Sequence, residues 1–175
     1  MSAAVRDATA ADLPAIVAIY GHHVLYGAGT FEEVPPTEAE MAGRVAAVQQ
    51  AGCAWLVATD TTGAVLGYGY FAPFRPRSAY RFTAENSVYV RDDIRGQGVG
   101  KALVAELLAR AEAKGIRQML AVIGDAENAG SIGLHASLGF RQVGVLKAVG
   151  LKFGRWVDVV QMQKALGEGE KTLPA

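Results

Sequence analysis

The residues able to do chemistry gather in one stretch, Ser87–Gly100. There a β-forming run gives way to Arg95-Gly96-Gln97-Gly98-Val99-Gly100, and a helical pattern follows. Glycines in such a turn let the backbone approach a ligand closely. The first-turn N–H groups of the next helix lack intrahelical partners and the helix dipole favours an anion, so a phosphate or pyrophosphate is the natural guest. Two familiar phosphate loops are excluded. A dinucleotide fingerprint needs a third glycine where Lys101 stands; a P-loop needs glycine at Arg95 and Ser or Thr at Ala102. Glu85 is the lone carboxylate of an otherwise uncharged strand, Ala84–Val90, just before this loop, and is the candidate general base. The segment Phe74-Arg75-Pro76-Arg77 brings two guanidiniums close together, and arginine binds carboxylates bidentately. A free amino acid supplies such a carboxylate beside a reactive amine.

Metal chemistry is not expected. His22 and His23 are adjacent on a helix and do not face one another, and no other His, Asp or Glu cluster has ligand spacing. Cys53 stands alone, which excludes an internal disulfide framework; it reads as a small, semi-buried apolar residue.

The elements that must position these groups follow from periodicity and capping. Ala4–Asp7 is the first strand. Thr9 and Asp12 form a capping box ahead of a helix whose apolar face is Leu13, Ile16, Val17, Tyr20 and Val24, with Pro14 deep enough to delay its start. Gly27–Pro36 is a flexible segment. Thr37 and Glu40 open a second helix with Met41, Val45 and Val48 inward, ended by Gly52. Trp55–Thr59 and Val65–Phe71 form a hairpin, Phe71–Arg81 a loop, and Ala84–Val90 the next strand. Gly98–Ala113 is a helix stopped by Gly115, Met119–Ile123 a strand, and Asn128–Leu138 a short helix closed by Gly139. Val143–Leu146 and Val157–Gln163 are the last strands, joined across Gly150–Trp156. The order β-α-α-β-β-β-α-β-α-β-β mixes hairpins with crossovers and implies an α+β, mixed-sheet fold.

With 175 residues, 51% hydrophobic and 19% charged, the chain has the material for one domain, expected over residues 1–166 with a flexible tail at 167–175. Basic and acidic side chains balance at 17 each, so nothing points to nucleic acid. No membrane span or signal peptide is readable, which leads to the expectation of a cytoplasmic protein.

The Arg-x-x-Gly-x-Gly turn between strand and helix resembles the acetyl-CoA pyrophosphate loop of the GNAT superfamily of N-acetyltransferases. The element order agrees with that fold from about residue 3 to residue 164. Asn128-Ala129-Gly130-Ser131-Ile132-Gly133-Leu134-His135 followed by Leu138-Gly139-Phe140 resembles the family's helix bordering the pantetheine arm. Within the superfamily the chain is most similar to the phosphinothricin and methionine sulfoximine/sulfone acetyltransferases. That likeness rests on Glu85-Asn86-Ser87-Val88-Tyr89-Val90, Val122-Ile123-Gly124, Leu134-His135 and the run Val149–Trp156 with Asp158. Thr30-Phe31-Glu32 departs from the runs both types carry there.

The resemblance implies acetyl-CoA as co-substrate, direct transfer in a ternary complex, and Glu85 and His135 as catalytic residues. His135 stands where many GNAT enzymes carry a tyrosine, and an imidazole can serve as acid or base. The resemblance assigns cofactor contacts to Val88, Tyr89 and Val90, with the Val90 N–H near the thioester oxygen; a bulge there would free that N–H. Arg95, Gly96, Gln97, Gly98, Val99, Gly100 and Lys101 would hold the pyrophosphate. Asn128 would meet the pantetheine arm, cap its helix, or both. Arg75, Pro76 and Arg77, with Glu85, Asn86 and Ser87, would border the substrate. Lys152, Phe153, Arg155 and Trp156 form a site wall, a dimer contact or a plain turn. A homodimer is expected. The alternatives are acetylation of a protein N-terminus or another small amine, and a non-catalytic acetyl-CoA sensor.

Overall fold

Local signals decide where each element begins. The computed structural model describes residues 3–174. Strand β1 is Ala4–Asp7. The Asp12 carboxylate accepts the Thr9 N–H at 2.8 Å, closing a 3-10 turn at Ala10–Asp12. Helix α1, Leu13–Tyr26, starts after that turn with Pro14 in its first turn, where a missing N–H does no harm. Helix α2, Glu38–Gln50, opens on a reciprocal box: Thr37 Oγ1 accepts the Glu40 N–H and Glu40 accepts the Thr37 N–H.

Strands β2 (Trp55–Thr59), β3 (Val65–Pro73) and β4 (Thr83–Val90) form an antiparallel run with β1 at its outer edge. Helix α3 (Val99–Ala113) crosses to β5 (Gln118–Gly124), which lies parallel to β4. Helix α4 (Ala129–Ser137) leads to the hairpin β6 (Arg141–Lys152) and β7 (Arg155–Ala165). The sheet has seven strands in the order β1-β2-β3-β4-β5-β7-β6, with β4–β5 its parallel pair. This is the α+β mixed-sheet architecture that the element order implied.

Alternation along the strands divides the core between two faces. Trp55, Val57 and Tyr68 pack under α1 and α2 with Ile16, Ile19 and Met41. Leu56, Ala58, Phe71 and Met119 pack under α3 with Leu103, Val104 and Leu107, and α4 leans on the same face through Ile132 and Leu134. Leu103 and Leu107 are fully buried, each worth about 1.5–3 kcal/mol of apolar transfer.

The last hairpin is longer than its periodicity suggested. Gly150, Leu151, Lys152, Arg155 and Trp156 belong to strands, and the connection shrinks to Phe153 and Gly154, with φ of +52° and +71°. Two successive left-handed residues make the tight turn whose twist suits a hairpin. Register shifts between Gln142 and Gly144 and between Leu146 and Gly150 break the alternation that would have revealed β6.

Candidate active site

The site is built where two strands part. β4 and β5 pair from Thr83–Gln118 to Asn86–Ala121 and no further. On its other edge β4 stays in unbroken register with β3 as far as the Gly67–Val90 pair, so the strand carries no bulge. The opening comes instead from β5, which follows β7 to the Gly124–Val159 pair. The Arg91 N–H donates to the Leu66 carbonyl at 2.9 Å. Antiparallel alternation therefore turns the Ser87 and Tyr89 N–H groups toward β3, and those of Val88 and Val90 toward the gap. The Val90 carbonyl accepts from His23 Nε2 at 2.8 Å. Two backbone donors thus face a gap in place of a partner strand.

That gap widens into a cavity of about 540 Å³ that runs to the N-terminus of α3. Gly96 and Gly98 adopt φ of +78° and +84°, a turn only glycine makes without strain. The first intrahelical bond of α3 runs from Ala102 N–H to the Gly98 carbonyl. The N–H groups of Val99, Gly100 and Lys101 therefore have no carbonyl one turn back. A Cβ on Gly100 would fall 2.6 Å from Leu134 Cδ1, so this glycine lets α4 lie against α3. Arg95 at the mouth pairs with Asp92 at 2.9 Å and remains 58% exposed.

Of the residues assigned to the cofactor from sequence, Val88, Tyr89, Val90, Arg95, Gly96, Gly98, Val99, Gly100, Lys101 and Asn128 line this cavity; Gln97 does not. Asn128 also caps α4, its Oδ1 accepting the Ser131 N–H at 3.2 Å. Asn86, Ser87 and His135 line the cavity too. His135 is 3% exposed, and burial pulls its imidazole below the ordinary histidine range. Its Nδ1 lies 2.8 Å from the Ser131 carbonyl and its Nε2 3.1 Å from Asn86 Nδ2.

Glu85 lies on the opposite face. Asn86, Val88 and Val90 point toward α3 and α4, so alternation sends Glu85, Ser87 and Tyr89 toward α1 and α2. Burial pushes the Glu85 carboxyl above the usual range, and the nearby Arg75 guanidinium opposes the shift. Burial raises the Tyr70 phenol above its usual range, and Tyr70 also feels the charges of Glu85, Arg44 and Glu32. Glu32 accepts from Tyr20 at 2.9 Å and from Arg44 at 2.6 and 3.1 Å. This face gathers Glu85, Tyr70, Tyr20, Glu32 and Arg44. Arg75, Pro76 and Arg77 line a separate surface cleft of about 430 Å³ with Phe74 and Tyr80.

Several contributors escaped the sequence reading. Gly27, Ala28 and Gly29 form a cavity wall, and a Cβ on Gly124 would fall 2.5 Å from the Ala28 carbonyl. Lys152, which the sequence reading offered as part of a site wall, a dimer contact or a plain turn, is 2% exposed and braces that wall by donating to the Gly27 and Thr30 carbonyls at 2.8 and 2.7 Å. His23 joins α1 to β4. Only a pair of glycines in a flexible segment hinted at any of this. Among the described residues no three His, Cys, Asp or Glu side chains form a candidate metal group, and no helix is long and apolar enough to cross a membrane.

Comparison with known proteins bears on the same segments. The acetyltransferase (GNAT) family model matches residues 18–140. The chain is 56% identical over 163 residues to a phosphinothricin N-acetyltransferase of Alcaligenes faecalis, covering 93% of this chain and 82% of that one. It is 46% identical to an L-methionine sulfoximine/L-methionine sulfone acetyltransferase of Pseudomonas paraeruginosa, covering 93% and 94%. A crystal structure of a GNAT superfamily phosphinothricin acetyltransferase from Sinorhizobium meliloti, in complex with AcCoA, superposes with a TM-score of 0.97 at 51% identity, covering 100% of this chain and 94% of that one.

Proposed function

The chain belongs to the GNAT family of acetyltransferases, and from that premise we propose that it moves the acetyl group of acetyl-CoA onto the amino group of a small amino-acid-like molecule, such as phosphinothricin or methionine sulfoximine or sulfone, within a ternary complex. The observation that carries this reading is the wedge between β4 and β5. An unpaired strand edge on one side of the cavity, and a helix N-terminus with Arg95 and Lys101 at its mouth, suit a long arm of amides ending in phosphates. The residues present fit acetyl-CoA.

In the reaction the amine nitrogen forms a C–N bond to the thioester carbonyl carbon, the C–S bond breaks, and sulfur keeps its electron pair. An ammonium substrate gives up two protons in all; one balances the thiolate and the other reaches solvent. Glu85, desolvated at the vertex of the wedge, takes the first of them directly or through water. The Val88 and Val90 N–H groups, aimed into the gap, suit the oxygen on which charge develops. Arg75 and Arg77 orient the substrate carboxylate.

Two further readings belong with this one. The proposed setting is the cytoplasm, where free amino acids and acetyl-CoA meet. The protein is a homodimer, because Val149, Leu151 and Trp156 expose 54%, 59% and 66% of their surface on the tip of the last hairpin, and such an apolar strip favours a second copy.

The test is thiol release from acetyl-CoA on adding phosphinothricin, methionine sulfoximine, methionine sulfone or a short free-amine peptide. Turnover with an amino acid and none with the peptide is expected. Turnover with the peptide alone would move the assignment to protein N-termini. Sedimentation of the wild type and of Leu151→Glu tests the dimer, with a monomeric wild type ruling it out.

A further inference from the structure

Asn86 occupies the last paired position of β4, opposite Ala121, so its side chain stands at the closed end of the wedge where a thioester would stop. It is 4% exposed, and its hydrogen-bonding partner among the described side chains is His135 on α4, 49 residues away in the chain. The Ser131 carbonyl, 2.8 Å from His135 Nδ1, can only accept, so Nδ1 carries a proton. In a neutral imidazole that leaves a lone pair on Nε2; of the two Asn86 atoms beside it, Oδ1 at 3.2 Å has no proton to give, so Nδ2 at 3.1 Å is the donor. The Phe140 ring stands edge-on against the imidazole at 4.9 Å. Both ring nitrogens are therefore engaged, and neither offers a free proton to the cavity. Asn86 Nδ2 has two protons; one goes to His135 and the second is left for the cavity.

We infer that Asn86 is a catalytic residue, donating its second amide proton as a hydrogen bond to the departing sulfur, and that His135 is its positioning residue, acting through the amide. The inference rests on the acetyl-transfer reading above. No proton changes hands at Asn86: sulfur leaves with the C–S electron pair, its charge is met by an N–H dipole, and the proton that later balances it comes from the former ammonium. A hydrogen bond to an ionised acceptor is stronger than a neutral one, and removing a preorganised donor of this kind lowers kcat by about 10²–10³-fold.

Three variants and one spectrum decide it. Asn86→Ala and His135→Phe are expected to lower kcat by a similar factor of about 10² with acetyl-CoA affinity retained, and the double variant to lose no more than either alone. His135→Gln, whose amide oxygen can accept from Asn86 but cannot act as an acid at neutral pH, recovers most of the kcat lost in His135→Phe. In the protein alone, imidazole 15N shifts show His135 as the neutral Nδ1–H tautomer from pH 6 to 8, on the order of one unit to either side of neutrality, and Asn86→Ala moves the Nε2 resonance. Additive losses, or His135→Gln as slow as His135→Phe, would overturn the inference in favour of proton transfer by His135. An Nε2–H tautomer would overturn it as well. A wild type that turns over no amine would fail the acetyl-transfer reading, and the 15N spectrum would still decide the Asn86–His135 pairing.

Discussion

Glu85 and Asn86 are neighbours in β4, and their side chains leave the sheet on opposite faces at the point where β4 and β5 part. One faces the side chains under α1 and α2, Tyr70 among them; the other faces the cavity that runs to α3. A strand places consecutive side chains on opposite faces as a matter of geometry. In the proposed reaction, two consecutive residues would serve two substrates approaching from opposite sides, with the parted strands as their meeting point.

This placement makes the Glu85 charge costly to the fold, and the proposed reaction would use it as the base. Its folded-state pKa lies above its unfolded value because burial disfavours the charge. The folded protein therefore holds the Glu85 proton more tightly than the unfolded chain. Stability falls as pH rises through that window and stays lower above it. Glu85→Gln is expected to lower turnover by about 10²–10⁴-fold while leaving the melting temperature at neutral pH equal or higher. Parallel kinetics and thermal unfolding check both; near-normal turnover would remove Glu85 from the mechanism.

Arg75 opposes the burial of Glu85, so its removal has two readouts. Arg75→Ala is expected to raise KM for the amino acid by about tenfold or more, as a bidentate carboxylate partner is lost. It also lets burial push Glu85 further up, so the acidic limb of the kcat/KM profile moves to higher pH. Arg77→Ala should change KM without moving that limb. A limb that stays put in Arg75→Ala would mean that Glu85 is not the ionisation being read.

Much of this was legible in the residues, and the rest has a physical reason for hiding. Capping boxes at Thr9 and Thr37, and the glycine turn before Val99, follow local rules that short stretches carry. Glu85 drew notice because a lone carboxylate in an otherwise uncharged strand needs a reason, and the turnover of Glu85→Gln is the test of that reading. The parting of β4 from β5 depends on where β7 leads β5, which no local pattern in Ala84–Val90 encodes. The engagement of both His135 nitrogens depends on a partner 49 residues away. Lys152 read equally as a site wall, a dimer contact or a turn because two register shifts hid the strand that buries it.

Lys152 is the clearest consequence of that hidden strand. Its ammonium donates to the Gly27 and Thr30 carbonyls, and Gly27–Gly29 wall the cavity. Lys152→Met keeps the length and the apolar stem but leaves both carbonyls without a donor, at a cost of about 1–3 kcal/mol for each buried group. The expected result is a melting temperature lower by several degrees and a raised KM for acetyl-CoA as the wall loosens. Thermal unfolding and steady-state kinetics read both; an unchanged melting temperature would mean that water replaces the ammonium freely.

The start of α1 carries a pH dependence of the opposite sign to that of Glu85. Arg6 holds Asp12 through two bonds of 2.8 Å, and that ion pair pulls the Asp12 carboxyl from 3.8 down to about 2. A carboxylate whose folded pKa is depressed stabilises the fold above its unfolded value, and that stability is lost as pH falls through the folded one. Asp12→Asn should therefore melt below the wild type at neutral pH, and the gap should close between 3.8 and about 2. Because α1 carries Tyr20 and His23 to the site, the variant should also lose activity on warming sooner than the wild type. Melting curves from neutral pH down to about 2 settle the sign. A gap that stays constant on acidification would show that the Asp12 charge and its pairing with Arg6 contribute nothing.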